Sequence, residues 1–156
     1  MTVEARQAAI EALYEADQRE LKEAAEGLPA RAARMVTGVL EHQTDLDRLI
    51  DAASDHWRIN RMPVVDRAIL RLGVYELLYE LDTPAPVVVS EAVRLAKIFG
   101  SEKSGAFVNG ILAALVTRLR SSAPTAASNS PLAPASDSPL AEAGGVPERS
   151  EGEEAP

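Results

Sequence analysis

The sequence contains no cysteine, and only six of its 156 residues are aromatic. The lack of cysteine excludes disulfide bonds and thiol chemistry. No apolar run approaches the roughly 18 residues that a membrane-spanning helix needs. The N-terminus lacks the basic-then-apolar layout of a secretory signal peptide. We therefore expect a cytoplasmic protein that makes no use of a membrane.

Side chains suited to catalysis or metal binding are also scarce. The two histidines, His42 and His56, do not lie at metal-ligand spacing from other good ligands. Ser54, Asp55 and His56 are the residue types of a catalytic triad, but neighbours on one backbone cannot converge into that hydrogen-bonded relay. The segment GSEKSG (100–105) is too short for a phosphate-binding P-loop. We predict a protein that is not an enzyme and has neither a metal nor a cofactor.

The composition divides the chain into two parts. Hydrophobic residues make up 46% of the sequence, enough for a globular core. Residues 121–156 are dominated by Ser, Pro, Ala and Glu and carry six acidic residues and one basic residue. Such a segment cannot bury enough apolar surface to offset the entropy of ordering it. We predict a folded domain over residues 1–120 and a disordered acidic tail over residues 121–156.

The charge of the predicted domain bears on its partners. Residues 1–120 hold 18 acidic and 15 basic residues, a net charge of −3. Proteins that bind nucleic acid through its phosphates usually carry a clear basic footprint. Any nucleic-acid binding by this domain must therefore be local.

Apolar residues recur at helical spacing along the whole predicted domain. The spacing predicts helices over about 2–22, 32–42, 44–53, 63–81, 89–99 and 104–119. The segment 63–81 is apolar nearly all round, so we expect it to be the central helix, with Gly73 allowing a neighbouring helix to approach closely. Thr44 and Asp47 resemble a capping box, and Pro29 suits a first helical position.

Two short segments point away from helix. TPAP (83–86) predicts a turn or an extended link. Val87–Val89 is locally strand-like, although it is too short and isolated to build a sheet. We also expect Trp57, in a polar stretch, to fill a join between helices.

The last predicted helix has an aromatic residue out of place. Val108, Ile111, Leu112 and Leu115 form its apolar stripe, but Phe107 points roughly a quarter-turn or more away from it. Lys103 lies one turn earlier on the side of Phe107. An aromatic ring beside a cation at the start of a helix suits a nucleobase and its phosphate. Packing of Phe107 against a neighbouring helix is the alternative.

Three blocks of the sequence together resemble the NusB family of transcription antitermination factors. They are ARQAAIEALYEAD (5–17), MPVVDRAILRLGVYEL (62–77) and PVVVSEAVRLAKIFGSEKSGAFVNGIL (86–112), in which FVNG (107–110) is the most specific. The resemblance covers residues 4–119 and implies an all-α, compact bundle of about seven helices in two subdomains. It implies binding to the boxA element of ribosomal RNA transcripts with the ribosomal protein NusE, within an antitermination complex on RNA polymerase. Some members dimerise, so a homodimer is a further expectation.

The resemblance also implies an RNA-binding set of residues. The family Phe that matches Phe107 lies at the RNA surface, and Lys103 and Ser104 lie at the same helix end. The family uses an arginine-rich start of the first helix as its other RNA element. Here only Arg6 matches it, so we expect weaker autonomous RNA binding. Either the partner supplies more charge or the true start lies upstream of Met1.

A partner-binding set follows from the central helix. The family acid that matches Asp66 contacts NusE, and Arg67, Arg71 and Tyr75 line one ridge at four-residue spacing. Tyr14 matches a Tyr near the functional surface of the family. The alternatives are a solvated stripe, internal salt bridges to the acidic first helix for the charged residues, and core packing for Tyr14.

Two other functions compete with RNA binding. The chain could be a protein-interaction scaffold or homodimer that keeps the fold but has lost autonomous RNA binding. The loss of arginines at the start of the first helix and the net negative charge favour this alternative. It could also be the detached RNA-binding domain of an rRNA cytosine methyltransferase, since those enzymes carry a NusB-like domain. The short, acidic segment after Ser121 argues against that third interpretation.

Overall fold

We describe a computed structural model of the chain, in which residues 3–55 and 57–120 are described. These ranges contain six α-helices and one short 3-10 helix, whereas the family resemblance implied about seven helices. They are α1 (Val3–Arg19), α2 (Ala30–Glu41), α3 (Gln43–Ala53), the 3-10 helix (Ile59–Arg61), α4 (Val64–Tyr79), α5 (Ala85–Phe99) and α6 (Ser104–Leu119). The all-α bundle is confirmed. The predicted tail, 121–156, and His56 lie outside the described residues.

Helix α4 is the centre of the bundle. Eleven of its sixteen residues are buried, and each of the other five α-helices packs against it. The helices before it and the helices after it therefore contribute to a single hydrophobic core. This arrangement confirms the prediction from the apolar pattern of residues 63–81.

The glycine within α4 permits a close helix contact, as predicted. A Cβ atom on Gly73 would lie 3.0 Å from Cδ1 of Leu112, which is fully buried on α6. Glycine within a helix costs about 1 kcal/mol relative to alanine, and the close packing of α4 on α6 offsets this cost.

The link before α5 differs from the sequence prediction. Helix α5 begins at Ala85, with Pro84 as its N-cap residue and Pro86 in its first turn. Val87–Val89, predicted to be strand-like, is helical. Proline is compatible with a first helical turn because that turn needs no N–H donor there. Burial of Val88, which is 1% exposed, outweighs the local β propensity of valine.

Two predicted helix starts differ from those in the structure. Helix α3 begins at Gln43 with His42 as its N-cap, so Thr44 lies inside the first turn and the capping box does not form. Pro29 is the N-cap residue of α2 rather than its first residue. His42 is also the C-cap of α2, so a single residue joins the two helices.

Candidate nucleic-acid interface

Phe107 lies at the edge of the core rather than within it. It is half-buried, packs against the core, and its ring contacts the ring of Trp57. The ring centroids of Phe107 and Trp57 are 5.7 Å apart, with an angle of 54° between their planes. The apolar stripe of α6, by contrast, is buried. This geometry agrees with the off-stripe position expected for Phe107.

The sequence predicted that Trp57 fills a join between helices, and this prediction is wrong. Its side chain is 49% exposed. The loop between α3 and the 3-10 helix holds it at the surface because Ser54 bonds both backbone groups of Trp57. The Ser54 hydroxyl donates to the Trp57 carbonyl oxygen at 2.6 Å, and its oxygen accepts from the Trp57 N–H at 3.3 Å. The Ile59 N–H donates to Asp51 Oδ1 at 2.7 Å.

Exposed basic residues accompany the two rings in the sequence. Lys103 lies one helical turn before Phe107, and Arg58 and Arg61 follow Trp57; all three side chains are exposed. We define the aromatic-basic surface as Trp57, Arg58, Arg61, Lys103 and Phe107. The sequence prediction included only Lys103 and Phe107. Its missed signal was the single tryptophan followed by two arginines in WRINR (57–61).

Ser104 and Asp66, placed in two different predicted sites, bond each other inside the bundle. The Ser104 hydroxyl donates to Asp66 Oδ1 at 2.7 Å, and its oxygen accepts from the Ser101 N–H at 2.9 Å. The backbone N–H of Ser104 donates to the Ser101 carbonyl oxygen at 3.0 Å. Both side chains are at most 4% exposed. Burial raises the pKa of Asp66 above its ordinary value, against the opposing effect of the Ser104 hydrogen bond.

The Ser104–Asp66 contact changes both predictions. A phosphate has no access to the Ser104 hydroxyl, and a protein partner has none to the Asp66 carboxyl group. The pair instead fixes the first turn of α6 to α4, and thereby fixes Phe107 one turn further along α6.

Arg6 occupies an internal site as well. It is 2% exposed, and its guanidinium group binds the Glu76 carboxylate through two donors, Nη2 to Oε1 at 2.9 Å and Nε to Oε2 at 3.0 Å. Glu91 lies 3.8 Å from Nη1 of Arg6. The predicted phosphate contact of Arg6 is thus not supported by the structure, because its donors face carboxylates within the bundle.

Arg67 and Arg71 form internal ion pairs, as one alternative for the predicted ridge had proposed. Arg67 binds both oxygens of Asp17 on α1, at 2.7 and 3.1 Å. Arg71 binds both oxygens of Asp47 on α3, at 2.7 and 3.0 Å, and also reaches Asp17 at 3.2 Å. Burial alone would raise the pKa of Asp17, but the two arginines outweigh it and lower that pKa. These arginines join three helices rather than facing a partner.

Tyr75, the last residue of that ridge, packs inside. It is 8% exposed, and its ring covers Gly38 of α2 so closely that a side chain there would collide with it. Its ring centroid lies 5.1 Å from that of Tyr79. Burial and the negative charge of Glu80 raise the pKa of Tyr75. A partner therefore has little access to Tyr75.

Tyr14 is the only member of the predicted partner set that is exposed, at 43%. It lines an apolar groove of about 330 Å³ together with Ile10, Val65 and Phe99, and Glu11 lies at its edge. The core-packing alternative for Tyr14 is therefore wrong. The groove brings together α1, the start of α4 and the end of α5.

The described ranges show neither a metal site nor a membrane segment. No group of three or more histidine, cysteine, aspartate or glutamate side chains there could hold a metal ion. None of the helices in those ranges is both long enough and apolar enough to cross a membrane.

The fold and its exposed side chains define a small all-α bundle with an aromatic-basic surface and a separate apolar groove. The NusB family profile matches residues 3–117. The transcription antitermination protein NusB of Bacillus velezensis is 41% identical over 125 residues, which are 75% of this chain and 96% of that protein. The chain belongs to the NusB family of transcription antitermination factors.

Solved structures agree with this assignment. T. maritima NusB is 37% identical and superimposes with a TM-score of 0.67 over 74% of this chain and 89% of that chain. A crystal structure of the antitermination factors NusB and NusE in complex with dsRNA gives 29% identity and a TM-score of 0.62, over 73% of this chain and 94% of the matched chain.

Proposed function

We propose that this chain binds the boxA element of ribosomal RNA transcripts together with the ribosomal protein NusE, and so supports antitermination by RNA polymerase. The observation that carries the proposal is the partly exposed Phe107 next to Lys103, on a chain that belongs to the NusB family. The complex of a related NusB with NusE and dsRNA supports the coarser statement that the ligands are an RNA and NusE. The protein acts here by binding, not by catalysis.

The RNA contact rests on stacking and on local charge. Single-stranded RNA is recognised mainly by stacking unpaired bases on aromatic rings and by hydrogen bonds to their edges. The Phe107 ring is partly exposed, and the exposed ammonium group of Lys103, one turn earlier in the chain, would receive a phosphate. Arg6 and Ser104 bind carboxylates within the bundle instead. The net charge of −3 over residues 1–120 adds no general attraction, so the contact is confined to this surface.

The groove beside Tyr14 is our proposed NusE contact. Its apolar lining suits an inserted hydrophobic side chain, and the exposed carboxylate of Glu11 at its edge suits a basic partner. Asp66, Arg67, Arg71 and Tyr75 then support the interface from within. Their role would be to position α1 and α4, not to touch NusE.

A binding titration tests the proposal. Labelled boxA RNA and a scrambled RNA of equal composition are titrated at near-physiological salt, with and without NusE. We expect preferential boxA binding that NusE strengthens, and weaker binding by Phe107→Leu, which keeps apolar packing but removes the ring. Tyr79→Leu is the matched control, because Tyr79 is an exposed aromatic residue outside the aromatic-basic surface. Equal binding of the two RNAs under all conditions would refute the proposal.

A second function is favoured by the internal position of Arg6. Because the one matching arginine of α1 is engaged with Glu76, the chain could serve as a protein-interaction scaffold or homodimer without autonomous RNA binding. In that case NusE or a second copy would bind while neither RNA did. Sedimentation of the chain alone and with NusE separates these outcomes.

A further inference from the structure

The side chain of Trp57 is exposed to an unusual degree for a residue of its kind. Tryptophan is the largest apolar side chain, and leaving half of it in water forgoes much of its contribution to folding. The backbone that carries this indole is nevertheless held in place, at Trp57 by the Ser54 hydroxyl and at Ile59 by the Asp51 carboxylate. The loop is therefore built to present the ring, not to bury it.

We propose that the loop between α3 and α4 is a second RNA-contacting element, in which Trp57 stacks on one nucleobase beside the base received by Phe107. This inference rests on the proposed function and extends it to residues that the family resemblance had not implied. Arg58 and Arg61 would contact the phosphates that flank the stacked base.

The geometry of the two rings fits adjacent bases of one strand. At 5.7 Å and 54°, the rings of Trp57 and Phe107 are tilted rather than stacked, so neither ring covers the whole face of the other. Single-stranded nucleic acid is held in this way, with successive bases on separate aromatic rings along a basic groove. A loop fixed before binding also lowers the ordering cost of the contact.

The exposed side chains of this surface combine aromatic rings with cations. Arg58, Arg61 and Lys103 are exposed, and the exposed carboxylates nearest to them in the sequence are those of Asp55 and Glu102. Asp51 accepts a hydrogen bond from the Ile59 N–H and is therefore engaged within the loop. Guanidinium and ammonium groups beside aromatic faces are the chemistry that recognises a phosphate-linked base.

Trp57 provides its own reporter, since it is the sole tryptophan of the chain. Its fluorescence is recorded while boxA RNA is added, and RNA binding is followed in parallel by anisotropy of the labelled RNA. We expect the indole emission to be quenched with the same midpoint as the anisotropy change. A boxA duplex, whose bases are already paired and stacked, should quench it far less.

Variants separate stacking from packing. Trp57→Leu keeps an apolar contact with Phe107 and should weaken boxA binding about fivefold or more, the lower end expected for one stacked base. Trp57→Phe should retain most of the affinity, and Tyr79→Leu, the matched exposed aromatic elsewhere, all of it. Arg58→Gln and Arg61→Gln should each reduce the slope of log affinity against log salt by about 0.7. Thermal unfolding of every variant shows whether folding has changed.

The outcomes distinguish the two proposals. If boxA binds while the indole emission stays constant and Trp57→Leu binds like the wild type, this inference is overturned and the proposed function stands. If boxA RNA does not bind at all, both fail. If the emission responds to NusE but not to RNA, the loop is a protein contact and the inference is overturned.

Discussion

Replacing Arg6 tests whether this residue holds the bundle together or binds RNA. The side chains of Arg6 and Glu76 are each 3% exposed, and two of their hydrogen bonds measure 2.9 and 3.0 Å. Removing one partner from a buried ion pair typically costs about 3–5 kcal/mol, because the other charge stays buried without it. We therefore expect Arg6→Gln to lower the free energy of unfolding by about 3 kcal/mol or more.

Urea unfolding measures that loss directly, and for a domain of this size it corresponds to a fall in Tm of roughly 10 °C. The double variant Arg6→Met with Glu76→Met should recover most of the stability, since apolar replacement of a buried pair is often neutral. RNA binding of each variant is measured well below its Tm. If Arg6→Gln kept full stability but lost affinity and salt dependence, Arg6 would be a phosphate ligand and our structural assignment would be wrong.

Two further predictions concern packing and pH. Asp17→Asn should flatten the loss of stability on acidification. The pKa of Asp17 is lowered from its ordinary value of 3.8 in the folded state, so the ionised carboxylate stabilises the fold at a pH above that value. This contribution disappears as the pH falls from about 5 through the lower pKa of the folded state. Urea unfolding between pH 7 and pH 3 measures the slope, and an unchanged slope would contradict the ion-pair assignment. Gly38→Ala should destabilise by about 1–3 kcal/mol, because the new methyl group meets the buried ring of Tyr75. Gly110→Ala is its matched control and should stabilise by about 0.5–1 kcal/mol, because nothing lies within 4 Å of the added atom; equal effects at the two sites would refute the packing argument.

The fold was largely predictable because its helices carry strong apolar periodicity. The boundaries of α6 and the central position of α4 follow from that pattern alone. The predicted start of α5 was wrong because it rested on the local conformational propensities of proline and valine, whereas the burial of Val88 decides the conformation. Local propensity yields to tertiary packing at such positions.

The site was less predictable, because charge and spacing do not reveal what a side chain faces. Arg6, Asp66 and Ser104 looked like surface residues by type, yet each bonds a residue 38 or 70 positions away. Trp57 was expected to be buried because of its size, although the loop hydrogen bonds of Ser54 keep it exposed. Only the three-dimensional contacts distinguish these cases.

The contact of α4 with every other α-helix restricts where this protein can change. A substitution at most positions of α4 affects several neighbouring helices at once. New binding specificity is therefore easier to acquire at the ends of helices than along α4. The segment 20–29, which joins α1 to α2 and is largely exposed, is a suitable place for an inserted label or tether. Such an insertion would leave the centre of the bundle untouched.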